Sequence, residues 1–257
     1  MYKIHEISGH IQSSYIIEYQ DKILLTDCAT KADLAKIEHF ILQELGRKIE
    51  DIKLAVVSHM HPDHAGLASL LQKKYNIPII AHPSANKWYG GILGELQHFI
   101  DVLLAWYVSI KMKNPPKRMW YPSKLKPDYI IKDREKLPFF DDWQIIYTPG
   151  HTSHDISLYH KQSKTIYLAD VVLKINKKFL LPMPVTLPRL MEKTLTDLSK
   201  IDIENLLLAH GGQITIKDKK TFFYNLKTQL SEKKRGMFKL INLVSFFPPC
   251  IRKLEKC

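Results

Sequence analysis

His59-Met60-His61-Pro62-Asp63-His64 follows, after the single residue Ser58, on the apolar run Ile52-Lys53-Leu54-Ala55-Val56-Val57. The pair reads as a buried strand that ends in three histidines and an aspartate. Imidazole and carboxylate are the ligand types that zinc and other first-row metals accept. A hydrophobic core has no use for four such groups at one strand end, because each must find a partner when it leaves water. The plain alternative is a polar loop that gathered them by chance. The window points instead to a metalloenzyme, with its metal at the C-terminal end of a strand.

The same pattern returns three times downstream. Residues 144–148 lead into Thr148-Pro149-Gly150-His151, 165–169 lead into Asp170, and 206–209 lead into His210-Gly211-Gly212. In each case an apolar strand delivers a ligand-type side chain at its C-terminal end, where open sheets present residues to a shared edge. Taken singly, a strand-end His is a hydrogen-bonded structural residue and a strand-end Asp is a turn or cap. Added to the first window, they describe one site.

The rest of the chain supplies a frame for it. Residues 14–19 and 22–27 are β-rich runs on either side of Gln20-Asp21, which predicts a hairpin. Leu34, Ile37, Phe40 and Ile41 share one face of a helix predicted over 31–45, with Gly46 as its stop. Further helices are predicted over 65–75, 187–200 and 217–232, and further strands over Ile79–Ala81, 129–131 and 156–159. No repeat at a solenoid period is visible. Strands with helices before, between and after them fit a layered α/β arrangement.

Taken in order, H-x-H-x-D-H at 59–64, T-P-G-H-T at 148–152, I-Y-L-A-D at 166–170 and H-G at 210–211 resemble the metallo-β-lactamase superfamily. The likeness is greatest to its small glyoxalase-II-like and lactonase-like hydrolases, and it covers about residues 1–232. It implies an α/β fold, a four-layer αββα sandwich with a two-metal site along one edge. It also implies that His59, His61 and His151 hold one ion, that Asp63, His64 and His210 hold the second, and that Asp170 bridges them. The expected cofactor is two Zn2+, with iron or manganese as alternatives, since availability as well as geometry decides the metal. Seven ligands suit two ions about 3.5–4 Å apart that clamp a water between them. Such a water is hydroxide near neutral pH. The expected reaction is cleavage of an ester, thioester or lactone by this bridging hydroxide. Asp170 and Asp63 are the expected catalytic residues, Asp63 carrying the proton to the leaving group.

Asp27, after Ile23-Leu24-Leu25-Thr26, matches an acidic position that the superfamily often places behind the metals, and would support a ligand there. A strand-end cap is its plainer reading. His82 is expected to be structural or near the substrate, and His5, His10, His39, His98, His154 and His160 are given no role. The departures from the family narrow the activity. Residue 62 is Pro, so the carboxylate-rich di-iron pattern is absent, and Asp170 stands where antibiotic-degrading members carry Cys or Ser. Leu173 stands where acyl-homoserine lactonases carry Tyr, which argues against a strict lactonase. Nothing matches the glutathione-binding region of glyoxalase II. The alternatives within the fold are a phosphodiesterase or nuclease and a mononuclear iron dioxygenase.

Composition bounds the partners. The 257 residues carry 38 Lys and Arg against 26 Asp and Glu, a net charge of +12. A basic chain allows an anionic partner, but no Arg/Lys run interleaved with aromatics lies near the motifs, which argues against nucleic acid. Met1-Tyr2-Lys3-Ile4-His5-Glu6 opens no apolar leader, and Cys28, Cys250 and Cys257 form no disulfide framework, so the expected compartment is the cytoplasm. Residues 84–127 interrupt the strand–helix rhythm as an insertion. There Leu96, Phe99, Ile100, Leu103, Leu104, Tyr107 and Ile110 recur at three- and four-residue steps. That face is expected to pack on the domain, to form a homodimer interface, or to close over the site as a lid for an apolar, acyl-type small molecule. Residues 233–257 form a basic and apolar tail, from Lys233-Lys234-Arg235 through Phe246-Phe247, which suggests peripheral membrane contact.

Overall fold

Alternation along the strands dictates the layering. In a strand, successive side chains point to opposite faces. Ile23-Leu24-Leu25 and Leu54-Ala55-Val56-Val57 are apolar on both, so their sheet must be covered twice. A computed structural model, describing residues 1–231, shows what covers it. The first sheet runs β1 (Lys3–Ser8), β2 (Ser13–Glu18), β3 (Ile23–Leu25), β4 (Ile52–Val57), β5 (Ile79–Ala81) and β6 (Tyr129–Ile130) in that order. Pairing is antiparallel from β1 to β3 and parallel from β3 to β6.

The second sheet is formed by β7 (Lys136–Leu137), β8 (Phe140–Tyr147), β9 (Ile156–His160) and β10 (Thr165–Tyr167). A two-stranded hairpin, β11 (Leu173–Ile175) and β12 (Lys178–Leu180), interrupts it before β13 (Asn205–Leu208) and β14 (Gly212–Thr215) complete it. Its order is β14-β13-β10-β9-β8-β7.

The helices are α1 (Leu34–His39), α2 (Pro62–Ala65), α3 (Ala68–Tyr75), α4 (Gly91–Lys111), α5 (Pro188–Leu198) and α6 (Lys219–Thr228). Ile23, Leu25, Ala55 and Val57 pack against Ile37, Ile41 and Leu71 of the outer helical layer. Leu24, Leu54 and Val56 face the other way and meet Trp143, Ile145, Leu158, Tyr167 and Leu207 of the second sheet. The far side of that sheet gives Ile166, Leu206 and Leu208 to Met191, Leu195 and Phe223 of α5 and α6. The result is the four-layer αββα sandwich.

Several boundaries differ from the sequence reading. The helix expected over 31–45 is a 3-10 turn at Lys31–Asp33, then α1, then a π-turn at Phe40–Glu44 in which Leu45 N–H donates to Phe40 O at 3.0 Å. Gly46, at φ +62°, ends it as expected. The helix expected over 65–75 is two, α2 and α3, and α2 already begins at Pro62 inside the ligand window. Strands β1, β7, β11, β12 and β14 were not anticipated. The tail at 233–257 lies outside the described residues.

The insertion corrects the sequence reading most. α4 buries Gly94, Gln97, His98, Asp101, Ala105 and Ser109, its small and polar stripe. Leu96, Phe99, Leu103, Tyr107 and Ile110 are exposed. Most of the apolar face therefore does not pack on the described part of the domain, and Phe99 and Leu103 do not line the cleft. Polar pairing with groups outside the helix explains the inversion: Tyr89 Oη donates to Asp101 Oδ2 at 2.8 Å, and Ser109 Oγ lies 2.8 Å from His10 Nε2.

The inter-sheet layer turns on Trp143, which is fully buried and donates its Nε1–H to Tyr19 Oη at 3.0 Å. Trp143→Ala should lower the unfolding free energy by about 3–5 kcal/mol. Urea denaturation checks this, and a loss below about 1 kcal/mol would mean that the layer does not depend on it.

Candidate metal centre

The strand ends converge as their sequences promised. β4, β8, β10 and β13 finish on one edge of the sandwich, and the loops beyond them carry His59 to His64, His151, Asp170 and His210. Two backbone bonds tie the sheets together there: Ser13 N–H donates to Ala209 O at 2.7 Å, and Ile156 N–H to Ser58 O at 3.1 Å. Gly150 lets the 148–151 loop lie on α5, since a Cβ there would fall 2.7 Å from Met191 Cα. Ala169, just before Asp170, holds a left-handed φ of +45°, a local cost that alanine bears to aim the aspartate.

All seven residues singled out in the sequence meet at this edge. Donor atoms of His59, His61 and His151 lie within 4.8 Å of one another, as do those of His59, His64 and Asp170, and those of Asp63, His64 and His210. Asp170 Oδ1 is 3.3 Å from His64 Nε2 and 3.5 Å from His210 Nε2, while its Oδ2 is 3.6 Å from His151 Nε2. Asp170 thus stands between the two groups. Asp63 Oδ2 lies 3.3 Å from His210 Nε2 and 3.6 Å from His64 Nε2.

Outer contacts decide which ring nitrogens point inward. Asp27 is fully buried and accepts from Ser58 Oγ at 2.5 Å and from Tyr167 Oη at 2.8 Å. It also lies 2.6 Å from His64 Nδ1, which donates its proton there and turns Nε2 inward. Ser58 gives its proton to Asp27, so at 3.1 Å it accepts from His59 Nδ1. His151 Nδ1 donates to Pro184 O at 2.7 Å. The Nδ1 atoms of these three rings are thus engaged outward, and their Nε2 atoms point inward. His61 is reversed: its Nδ1 faces His59 Nε2 at 3.0 Å and His151 Nε2 at 2.9 Å, and its Nε2 faces Asp101 Oδ2 at 3.6 Å. Lone pairs turned on one another in a buried site repel unless a cation sits among them. His64 Nε2 and Asp170 Oδ1 are buried with no hydrogen-bond partner. These orphaned atoms, and the nitrogen–oxygen donor set, fit a metal centre.

The electrostatics divide the ligands: burial opposes charge on His64 and His210, but Asp63 and Asp27 raise His64 well above the usual imidazole range and Asp170 raises His210, so a cation bound there would have to displace those protons. Burial, then the neighbouring His64 and His61, holds His59 well below the usual imidazole range. Burial, and next His151, lowers His61 to about 3. Both are neutral and ready to ligate. Burial works against charge on Asp63 and Asp170 too, but His64 and His210 hold both carboxyls below their ordinary range.

Three contributors escaped the sequence reading. Asp101 of α4 accepts from Tyr89 Oη at 2.8 Å, approaches His61, and is pushed up to about 7 by burial. His154 Nε2 accepts from Met60 N–H at 2.9 Å, and Tyr121 Oη donates to Met60 O, so the peptide between His59 and His61 is clamped from both sides. The only signals for these were an acid in an apolar helix and a second His three residues after His151. His82 stays outside the donor groups, stacked on Tyr147 with ring centroids 4.8 Å apart.

The donors open on a cleft of about 630 Å³. His61, Asp63, His151, Asp170 and His210 line it, together with Ile11, Leu104, Val108, Met112, Ile175 and Met183 and the polar Gln12, Ser13, Lys174 and Asn176. α4 is thus a wall of the cleft, through Leu104 and Val108 instead of Phe99 and Leu103.

The family model of the metallo-beta-lactamase superfamily matches residues 7–210. The probable metallo-hydrolase YflN of Bacillus subtilis is 21% identical over 260 residues, covering 89% of this chain and 91% of that protein. Ribonuclease J 1 of Streptococcus pyogenes is 36% identical over 89 residues, which are 33% of this chain but 16% of that protein. Among solved structures, the archaeal metallo-beta-lactamase superfamily protein ST1585 from Sulfolobus tokodaii superposes with a TM-score of 0.62 at 18% identity, covering 100% of both chains.

If Asp27 fixes the His64 tautomer, Asp27→Asn should weaken zinc binding about 10–100-fold. Competition with a chromophoric chelator measures this, and unchanged affinity in a folded variant would take Asp27 out of the centre.

Proposed function

The chain belongs to the metallo-beta-lactamase superfamily, and we propose that it is a dinuclear metal-dependent hydrolase that cleaves an ester, thioester or lactone bond in an apolar small molecule. The observation that carries this reading is the cleft itself: five of the seven convergent donors line it together with aliphatic side chains. A relative that spans nearly the whole chain is described as a probable metallo-hydrolase.

His59, His61 and His151 would hold one ion, and Asp63, His64 and His210 the other. Zinc suits these donors best, and iron or manganese would also accept them. Bound there, the ions supply an acidified water as nucleophile and a positive field for the developing oxyanion. Asp170 balances charge between the two groups and fixes their separation. Asp63 lines the cleft beside His210 and would carry a proton toward the leaving group. Leu104, Val108 and Met112 exclude water from the acyl portion of the substrate, which strengthens every charge interaction in the cleft.

Phosphodiester hydrolysis is the second reading, favoured by the local identity to ribonuclease J 1 and the net charge of +12. The apolar wall favours the acyl reading.

A panel of p-nitrophenyl esters, an acyl lactone, a thioester and bis-p-nitrophenyl phosphate divides the two. Turnover of the phosphodiester alone would overturn the acyl reading. Asp170→Asn, with its fold and metal content checked, should lower kcat/KM about a thousandfold, roughly 4 kcal/mol. Near-normal turnover would remove Asp170 from the chemistry. Leu104→Ala with Val108→Ala should raise KM for long acyl esters severalfold and spare acetyl esters. An equal effect on both lengths would mean that this wall does not hold the chain.

A further inference from the structure

The helix that walls the cleft turns its other side to solvent, and that side is the unusual one. Leu96, Phe99, Leu103, Trp106 and Ile110 fall at steps of three and four residues, so they form one stripe along α4. It lies opposite the buried stripe of Asp101, Ala105 and Ser109. Phe99 is 48% exposed, Leu103 48% and Trp106 44%. Trp120, from the segment after α4, extends the patch, with its ring centroid 6.4 Å from that of Phe99 and 46% of its surface exposed. A continuous apolar patch of this kind on a folded protein marks a contact surface.

The charge around it says which kind. Residues 84–127 hold seven Lys and Arg but only two acids, Glu95 and the buried Asp101. Lys111 at the end of α4, and Lys113, Lys117, Arg118, Lys124 and Lys126 in the segment between α4 and β6, are all exposed. A second copy of the chain would bring the same excess of positive charge to the contact, which opposes pairing through this face. An anionic bilayer surface supplies the opposite charge together with an apolar interior. Trp106, Tyr107 and Trp120 have the amphipathic rings that settle at headgroup depth. Lys111 Nζ lies 5.5 Å from the Tyr107 ring centroid, its stem along the apolar face and its charge at the edge. No helix among the described residues is long and apolar enough to cross a membrane.

We propose that the outer face of α4, with Trp120 and its basic margin, docks on an anionic lipid surface. α4 then lies in the plane of the interface. The face inserts its apolar stripe, while the opposite side of the helix keeps its place at the metal centre.

The test is co-sedimentation of the full chain with phosphatidylcholine vesicles, with and without phosphatidylglycerol, at low and high salt. Binding is expected with phosphatidylglycerol at low salt, and weakening as salt rises. Phe99→Ser/Leu103→Ser/Trp106→Ser alters exposed residues and should melt like the parent, while its vesicle affinity falls at least about tenfold. Lys111→Glu/Lys113→Glu/Arg118→Glu should lose binding to a similar degree. If the parent ignores anionic vesicles, the proposal fails. Equal binding by the serine variant overturns it too, because another surface, the 233–257 segment included, would then be responsible. So does sedimentation equilibrium that shows a dimer abolished by the serine variant in a protein that does not bind vesicles.

Discussion

Ring nitrogens and carboxylates crowded together at the foot of a cleft are the constraint on which the rest of the structure depends. His59 Nε2, His61 Nδ1 and His151 Nε2 face one another near 3 Å, and His64 Nε2 and Asp170 Oδ1 have no partner. Burial without compensation costs several kcal/mol for such groups. A cation removes that cost, and the shell around the rings prepares for it. Ser58, Asp27 and Pro184 O take the outer protons. Tyr121 and His154 hold the Met60 peptide. Both sheets are needed, because the first supplies the 59–64 window and the second supplies His151, Asp170 and His210.

Much of this was legible. A strand apolar on both faces needs two covers, and ligand-type residues after β4, β8, β10 and β13 need a common edge, so the layered fold and the seven donors could be read together. What escaped depends on tertiary contact. β1, Lys3–Ser8, is an edge strand with three charged or titratable side chains in six residues, so its periodicity is weak. The 31–45 helix has the right apolar spacing, and spacing does not report a π-turn. Asp101, His154 and Tyr121 carry no motif. They act on the centre only because the insertion and the 148–155 loop fold back over it.

α4 shows how far periodicity can mislead. Its apolar stripe is genuine, and the ordinary inference is that such a stripe faces the core. Here Asp101 is drawn toward His61 and Tyr89, and Ser109 toward His10. Those polar contacts set the rotation of the helix, and the apolar stripe is left outside. Leu104 and Val108, on the flank between the two stripes, become the wall of the cleft. One helix thereby joins the metal centre, the apolar wall and an outward apolar face.

The central claim is that these residues form a two-metal centre. Anomalous difference maps from crystals of the zinc-loaded protein, collected on either side of the zinc edge, test it most directly. The account expects two peaks about 3.5–4 Å apart, one among His59, His61 and His151, the other among Asp63, His64 and His210, with Asp170 touching both. A single peak, or two peaks with Asp170 bound to neither, would contradict it.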